Sequence, residues 1–443
     1  MDTDKLKQKI LDLAIRGKLV PQDPNGETAQ ELIKKIQEEK TKLIKEGKIK
    51  PIKDESYIFK SSDNSYYEKI GDTIKCIDNE IPFTIPSGWT WVRMPSIGIV
   101  KGGLTYKPSE IIENGTPVLR STNIVNGKII LNDLVRVNSK IRDSQYMETN
   151  DILICARNGS KALVGKCAVF DIETSEKYSF GAFMLAYKSP FFKYVYYYLN
   201  SYLFRNLLNK DDTKQINQVT LSTLYQTLIP FPPIKEQEQI TTLLDRLMSS
   251  ISTIEVNKNK IASIVSSAKK KILDNIFGEN SSYKSYYEKQ YALDEVLPYE
   301  QPGPYIVKST NYDDSYETPV LTPGKSFILG YTNETEGIYD VKNSKVIIFD
   351  DFTTASRLIG FNFKVKSSAM KILKSSDNEM FNIDYLYYLL KTIYINNDTH
   401  KRYWISEYAP IMVNIHQYDE QLKIVDSINQ AYELLDQMIE SNN

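Results

Sequence analysis

Residues 236–277 read EQEQITTLLDRLMSSISTIEVNKNKIASIVSSAKKKILDNIF, a run with no proline and no glycine. Positions stepping alternately by four and three fall on Ile240, Leu244, Leu247, Ile251, Ile254, Lys258, Ile261, Val265, Ala268, Ile272 and Asn275. Nine of these eleven are apolar if alanine is counted, which is the spacing of a coiled-coil seam sustained over several heptads. Pro232-Pro233 stands before the run and Gly278 after it, a start and a stop for one helix. Unbroken, such a helix is a rod of roughly 60 Å.

Both ends of the chain repeat pieces of this rod. Glu420-Gln421 answers Glu236-Gln237 at an offset of 184, and in that register Ile424, Ile428, Ala431, Leu435 and Met438 fall on the seam. Lys9-Ile10-Leu11-Asp12 answers Lys271-Ile272-Leu273-Asp274 at an offset of 262. The C-terminus therefore copies the first part of the rod and the N-terminus the last part. Together the two tails supply almost one further copy of it.

The correspondence continues between the rods. Thr116-Pro117-Val118-Leu119 recurs as Thr318-Pro319-Val320-Leu321, and Tyr196-Tyr197-Tyr198-Leu199 resembles Tyr387-Tyr388-Leu389-Leu390. The run Asp151–Ile154 is matched by Val346–Phe349. Strands are expected at Thr116–Leu119, Lys128–Leu131, Asp151–Ala156, Leu163–Val169, Lys345–Phe349 and Gly360–Val365, with short helices at Phe191–Leu208 and Ile383–Tyr394. The predicted fold class is α+β: two similar globular bodies with mostly antiparallel, barrel-like sheets, separated by long antiparallel coiled-coil helices. The expected arrangement is pseudo-two-fold and circularly permuted. The boundaries read 1–55 for a half rod plus a charged helix, 56–235 for the first body and 236–280 for the central helix. The second body takes 281–415 and the last half rod 416–443. Thr28 with Glu31 forms a capping box for the charged helix, which runs to Glu46. The basic run Lys48–Lys53 reads as a solvated tether or as a phosphate-contacting patch, and residues 55–80 as a loop.

Composition removes several kinds of chemistry. Three cysteines (Cys76, Cys155, Cys167) and two histidines (His400, His416) offer no zinc spacing and little acid–base capacity. The absence of a long apolar run predicts no membrane span; with the odd thiol count it points to a reducing, cytoplasmic home. The net charge of −1 gives no global basic signal, so a nucleic-acid partner would have to be met by local patches. Phe231-Pro232-Pro233-Ile234 has the wrong neighbours for an adenine-methyltransferase motif, and Asp212-Thr213-Lys214 lacks a nuclease partner motif. Thr322-Pro323-Gly324-Lys325-Ser326 has Pro319 where a phosphate loop needs its first glycine, so it reads as a Pro-Gly turn. No residue is assigned a catalytic role and none a metal.

Polar loops that follow strands are suited to DNA. In the first body they are Lys101-Gly102-Gly103-Leu104-Thr105-Tyr106-Lys107-Pro108, Arg120-Ser121-Thr122-Asn123 and Arg157-Asn158-Gly159-Ser160-Lys161. In the second they are Tyr331-Thr332-Asn333 and Asp351-Phe352-Thr353-Thr354-Ala355-Ser356-Arg357. Arginine can fork onto guanine and asparagine onto adenine, while Ser, Thr and Lys suit phosphates. The DNA-binding candidates are Lys101, Thr105, Tyr106, Lys107, Arg120, Ser121, Thr122, Asn123, Arg157, Asn158, Ser160, Lys161, Tyr331, Thr332, Asn333, Thr353, Thr354 and Arg357. Each loop also has the plain reading of an ordinary polar turn.

With those residues in view, the chain resembles the specificity subunits of Type I restriction–modification systems. The resemblance is carried by Lys9–Pro21, Leu43–Lys50, Ile85–Arg93, Leu119–Ile124, Gln215–Ser222 and, most specifically, Ile229-Pro-Phe-Pro-Pro-Ile-Lys-Glu-Gln237. It spans essentially the whole chain and is strongest up to residue 280. The second body has no Pro-x-Gly-Trp start and no Arg-Ser-Thr-Asn loop. The resemblance implies a non-catalytic reader in which each body is a target recognition domain for one half-site of a bipartite double-stranded DNA target. It implies rods that set the half-site spacing and partners in the form of methyltransferase and restriction/translocase subunits. S-adenosylmethionine, ATP and Mg would be bound by those partners and no cofactor by this chain. The alternatives are the same subunit serving a fused methyltransferase–nuclease, a stand-alone DNA-modifying enzyme, and a coiled-coil scaffold without a nucleic-acid role.

Overall fold

Ile234–Phe277 is a single 44-residue helix. It begins directly after Pro232-Pro233, where Gln237 Nε2 donates to the Pro232 carbonyl at 2.7 Å, and closes where the Gly278 N–H bonds the Asp274 carbonyl. The structure is a computed structural model and describes residues 2–47, 56–209, 218–278, 281, 287–322, 326–342, 344–396 and 401–441. The run Lys48–Lys53, the triplet Asp212-Thr213-Lys214, Pro323-Gly324-Lys325 and His400 lie outside the described residues.

The chain divides into two compact units, Met1–Glu255 and Val256–Asn443, so the cut falls inside the long helix. The rod is thus no domain of its own: each half belongs to one unit. In the first unit the helix Thr3–Ile15, capped by Asp2 on the Lys5 N–H, contributes Leu11, Ala14 and Ile15 to the core that also holds Ile240 and Leu244. The helix Ala29–Lys45 follows, with Thr28 and Glu31 in the reciprocal capping box. The stretch expected as a loop is not one from Ser56 onward. Ser56–Lys60, Tyr66–Ile70 and Thr73–Cys76 form an antiparallel three-stranded meander. Aromatics rather than aliphatics carry its alternation: Tyr57, Phe59 and Tyr67 stack at 5.9 and 6.0 Å, while Ile58 enters the core.

The first body is built on a four-stranded antiparallel sheet in the order Cys167–Val169, Ile152–Cys155, Met184–Lys188, Ile99–Gly102. Successive side chains on a strand point to opposite faces. Accordingly Ile152, Ile154 and Tyr187 join the core made with the helices, while Leu153, Cys155, Met184 and Ala186 join a second core with Leu119 and Phe180. A three-stranded sheet, Ser179–Phe180, Ile111–Leu119, Val135–Val137, supplies that second core, with Ser179–Phe180 running parallel to its neighbour. The strand expected over Leu163–Val169 begins only at Cys167, because Lys161–Leu163 is a 3-10 turn.

The second body repeats this plan. Its four-stranded sheet runs Tyr299–Glu300, Met370–Leu373, Val346–Asp350, Ser356–Ile359. Its three-stranded sheet runs Ile328–Thr332, Thr318–Leu321, Lys364–Val365, again with one parallel pair. Ile347, Phe349 and Leu373 face the helix-lined core; Val346, Ile348, Met370 and Ile372 face the other. The repeated tetrapeptides Thr116–Leu119 and Thr318–Leu321 occupy equivalent central strands. Of the expected strand Gly360–Val365 only Lys364–Val365 forms, because Ser356–Ile359 has already paired in the hairpin.

The joints between body and helix recur as well. Gln237 bonds the carbonyl of Pro232, and Gln421, offset by 184, bonds that of His416 at 2.8 Å. Tyr197 donates to Asp245 in the first unit and Tyr388 to Asn429 in the second. Lys7 pairs with Glu255 at 2.7 Å, and Lys269, its partner at an offset of 262, pairs with Asp436 at 2.7 Å. The seam departs from its expected register at the far end, where Asn275 is exposed and Leu273 and Ile276 are buried instead. Those two enter the core of the second body together with Tyr385, Ile424 and Ile428.

Candidate nucleic-acid interface

Five segments of the first body are tied together by close backbone and side-chain contacts. Gly103 lies against Gly181 so closely that a Cβ would meet the Gly181 carbonyl oxygen at 2.0 Å. That approach lets the Leu104 N–H reach the Phe180 carbonyl at 2.7 Å. Gln145 donates to the Gly103 carbonyl at 3.1 Å and accepts from Arg142 Nε at 3.2 Å. The turn after Gly181 brings up Phe183, whose carbonyl accepts from the N–H groups of both Ala156 and Arg157. Arg157 lies over the Phe183 ring at 5.5 Å, and Asn158 Nδ2 donates to Ser121 Oγ at 3.1 Å. Arg157, Asn158, Ser121 and Phe183 therefore share one edge, flanked by the Gly102–Lys107 and Arg142–Gln145 segments.

The sequence-derived candidates divide. Thr105, Lys107, Thr122, Arg157, Ser160 and Lys161 are exposed, and Tyr106, Ser121 and Asn158 half-buried. Arg120 is half-buried; one terminal nitrogen donates to the Asp133 carbonyl at 2.8 Å, and its buried Nε has no partner among the described residues. Asn123 is corrected: it is 0% exposed, accepts from the Arg120 N–H and donates to the carbonyls of Ile130 and Asn132. Both amide hydrogens and a lone pair of the oxygen build the turn, and the buried side chain offers no donor to a base.

Lys101 is corrected for the same kind of reason. At 7% exposure it bonds Asp151 Oδ2 at 2.8 Å and Glu148 Oε1 at 2.7 Å. Burial pushes the Asp151 carboxyl above its usual range despite the Lys101 bond. The hydrogen bonds of Lys101 and Lys188 hold Glu148 below its own. This is an internal ion-pair network pinning the edge of the four-stranded sheet.

In the second body Thr332 is corrected: it is 1% exposed, and its hydroxyl accepts the Glu334 N–H. Tyr331 is half-buried in its strand, whereas Asn333 and Thr353 are exposed. Thr354 takes a left-handed backbone conformation at φ +61° in the tight hairpin turn that Asp350 organises. Arg357 is exposed over the Phe327 ring at 4.7 Å, an arginine-on-aromatic pair like that of the first body. Sequence reasoning missed Phe183. Its signal was a bulky apolar residue directly after the small Gly181-Ala182 turn. Among the described residues no group of three or more His, Cys, Asp and Glu side chains is placed to hold a metal ion. Among the same residues no helix is long and apolar enough to cross a membrane.

The family model of the Type I restriction modification DNA specificity domain matches residues 86–264. Residues 86–264 are a Type I specificity domain. The span contains every candidate loop of the first body and the first part of the long helix. The chain is also similar to curated specificity subunits of Type I restriction enzymes. It is 47% identical over 147 residues to the EcoR124I/EcoR124II specificity subunit of Escherichia coli, covering 32% of this chain and 36% of that one. It is 32% identical over 275 residues to the EcoAI specificity subunit of Escherichia coli, covering 60% of this chain and 42% of that one. The chain thus spans about two fifths or less of the length of these relatives. A chain from a solved structure concerned with assembly and conformational transition of the type I R-M system aligns with a TM-score of 0.59 at 15% identity. That alignment covers 82% of this chain and 94% of the other, and it shows that the fold is shared beyond the specificity domain.

Proposed function

We propose that this chain is the non-catalytic DNA sequence-specificity subunit of a Type I restriction–modification complex. Each body reads one half-site of a bipartite double-stranded target. The methyltransferase subunits dock on bodies and rods and bring S-adenosylmethionine; restriction subunits bring ATP and Mg. The pseudo-two-fold, antiparallel pairing of rods expected from the repeat belongs to the same proposal. The observation that carries it is the recurrence of one sheet topology, with the same glutamine, tyrosine and lysine joints, in both units of a chain that matches a specificity domain over residues 86–264. Two like readers on one chain suit a target in two parts, as half-site spacing does in other DNA-binding proteins.

The test is duplex binding by the full chain with its methyltransferase subunits, followed by fluorescence anisotropy across a salt series. Each neutralised phosphate should contribute about −0.9 to the slope of log affinity against log salt. A steep negative slope and a preference for one bipartite duplex support the reading. Salt-independent binding, or S-adenosylmethionine bound by the isolated chain, would contradict it.

A further inference from the structure

Phe183 is 61% exposed, although a phenylalanine of this body gains roughly 1.5–3 kcal/mol by complete burial. Its position is not loose. The Gly181 N–H bonds the Leu119 carbonyl at 3.0 Å, and the Met184 N–H bonds the Gly181 carbonyl at 2.8 Å. The Phe183 carbonyl itself takes two N–H groups, at 2.9 and 3.1 Å. Gly103 seals the inner side of the turn, where no side chain fits. A ring held out by fixed backbone loses little freedom when something stacks on it.

Its surroundings define what that is. The Arg157 guanidinium lies against the ring at 5.5 Å, and Asn158 is bonded to Ser121 in the adjoining loop. Arg142 and Lys107 are exposed on the flanking segments. A flat apolar face among cations and amide groups is complementary to a nucleobase attached to a phosphate backbone. Resting on the reading above, we propose that Phe183 is a specificity-determining residue that stacks on one base at an opened step of the first half-site. Arg157, which lies over the ring, shares the contact. Apolar wedges unstack steps in this way in other DNA-bending proteins.

The experiment compares wild type with F183A, F183L and F183W, each as the full chain with its methyltransferase subunits, on duplexes carrying one abasic site at successive positions. F183A and F183L should lose about tenfold or more in cognate affinity, and F183W should stay near wild type. At one position in one half-site, the abasic duplex should cost wild type a similar factor and cost F183A nothing further. Wild-type binding and methylation by F183A, full rescue by F183L, or additive losses at every position would overturn the role of Phe183 alone. A wild-type complex with no preference for any duplex would instead bring down the underlying reading, and this proposal with it.

Discussion

Arg93 shows how one side chain can hold two parts of the first unit together. It bonds Glu68 through Nε at 2.9 Å and through a terminal nitrogen at 2.8 Å, and it reaches Glu80 at 2.7 Å. Burial opposes charge on both carboxylates, but the Arg93 bonds prevail and hold Glu68 and Glu80 below their usual 4.5. Groups with lowered folded-state values stabilise the fold above the unfolded value and lose that contribution as pH falls through the folded one. Arg93→Ala should therefore cost about 3 kcal/mol at pH 7, since it strands buried carboxylate charge. The deficit should narrow as the pH drops below about 4.5. Urea unfolding of both proteins at pH 7 and pH 4 checks this, and an equal deficit at both pH values would refute it. Arg157 and Lys101 make an opposite pair. Arg157→Ala should weaken methylation through the first half-site by about 1–3 kcal/mol while leaving the thermal midpoint unchanged. Lys101→Met should lower the thermal midpoint and leave the recognised sequence intact. Methylation assays on duplexes altered in either half-site, run beside thermal melts, separate the two. The sequence could nominate Arg157 as a cation after a strand. It could not show that Lys101 meets Asp151, fifty positions away, nor that Phe183, core by composition, stays outside.

Helices and strands were unequally legible. The long helix, its stop at Gly278 and the Thr28–Glu31 capping box all follow from local signals, and each is found where those signals put it. The meander of residues 56–76 was illegible because only Ile58 and Glu68 are buried in it, and its other face is half-buried Tyr57, Phe59 and Tyr67 in a stretch rich in charge. The seam was legible over Ile240, Leu244 and Ile251, where heptad spacing and burial agree. It failed at Leu273 and Ile276, because there the helix faces a globular core and the spacing that buries residues changes. The end of each globular body is locked to its following helix by a buried glutamine. Gln421 accepts the Asn382 N–H and donates to the carbonyls of Met380 and His416. Removing it leaves buried groups unpaired, so Gln421→Ala should cost about 1–3 kcal/mol. Denaturant titration reads this directly. A loss below a few tenths would mean that the joint is incidental.

At the scale of the whole molecule, the repeat that wraps round the chain ends was the most informative feature of the sequence. It identified which helical pieces are equivalent, and the equivalent lysines Lys7 and Lys269 each pair with an acid, although those acids, Glu255 and Asp436, do not themselves correspond at the offset of 184. It could not say which loop residues face outward, since that depends on strand pairings the repeat does not encode. If the long helix sets the distance between half-sites, removing one heptad, about 10 Å of rise, should change the spacer and leave both half-sites intact. Methylome sequencing of that variant decides it, and an unchanged spacer counts against a ruler. The most direct measurement is methylation mapping of a host that carries the wild-type chain with its matching methyltransferase subunits. Two short specified stretches separated by a constant run of unspecified bases are the predicted outcome; one uninterrupted motif, or methylation without any motif, would contradict two readers on one chain.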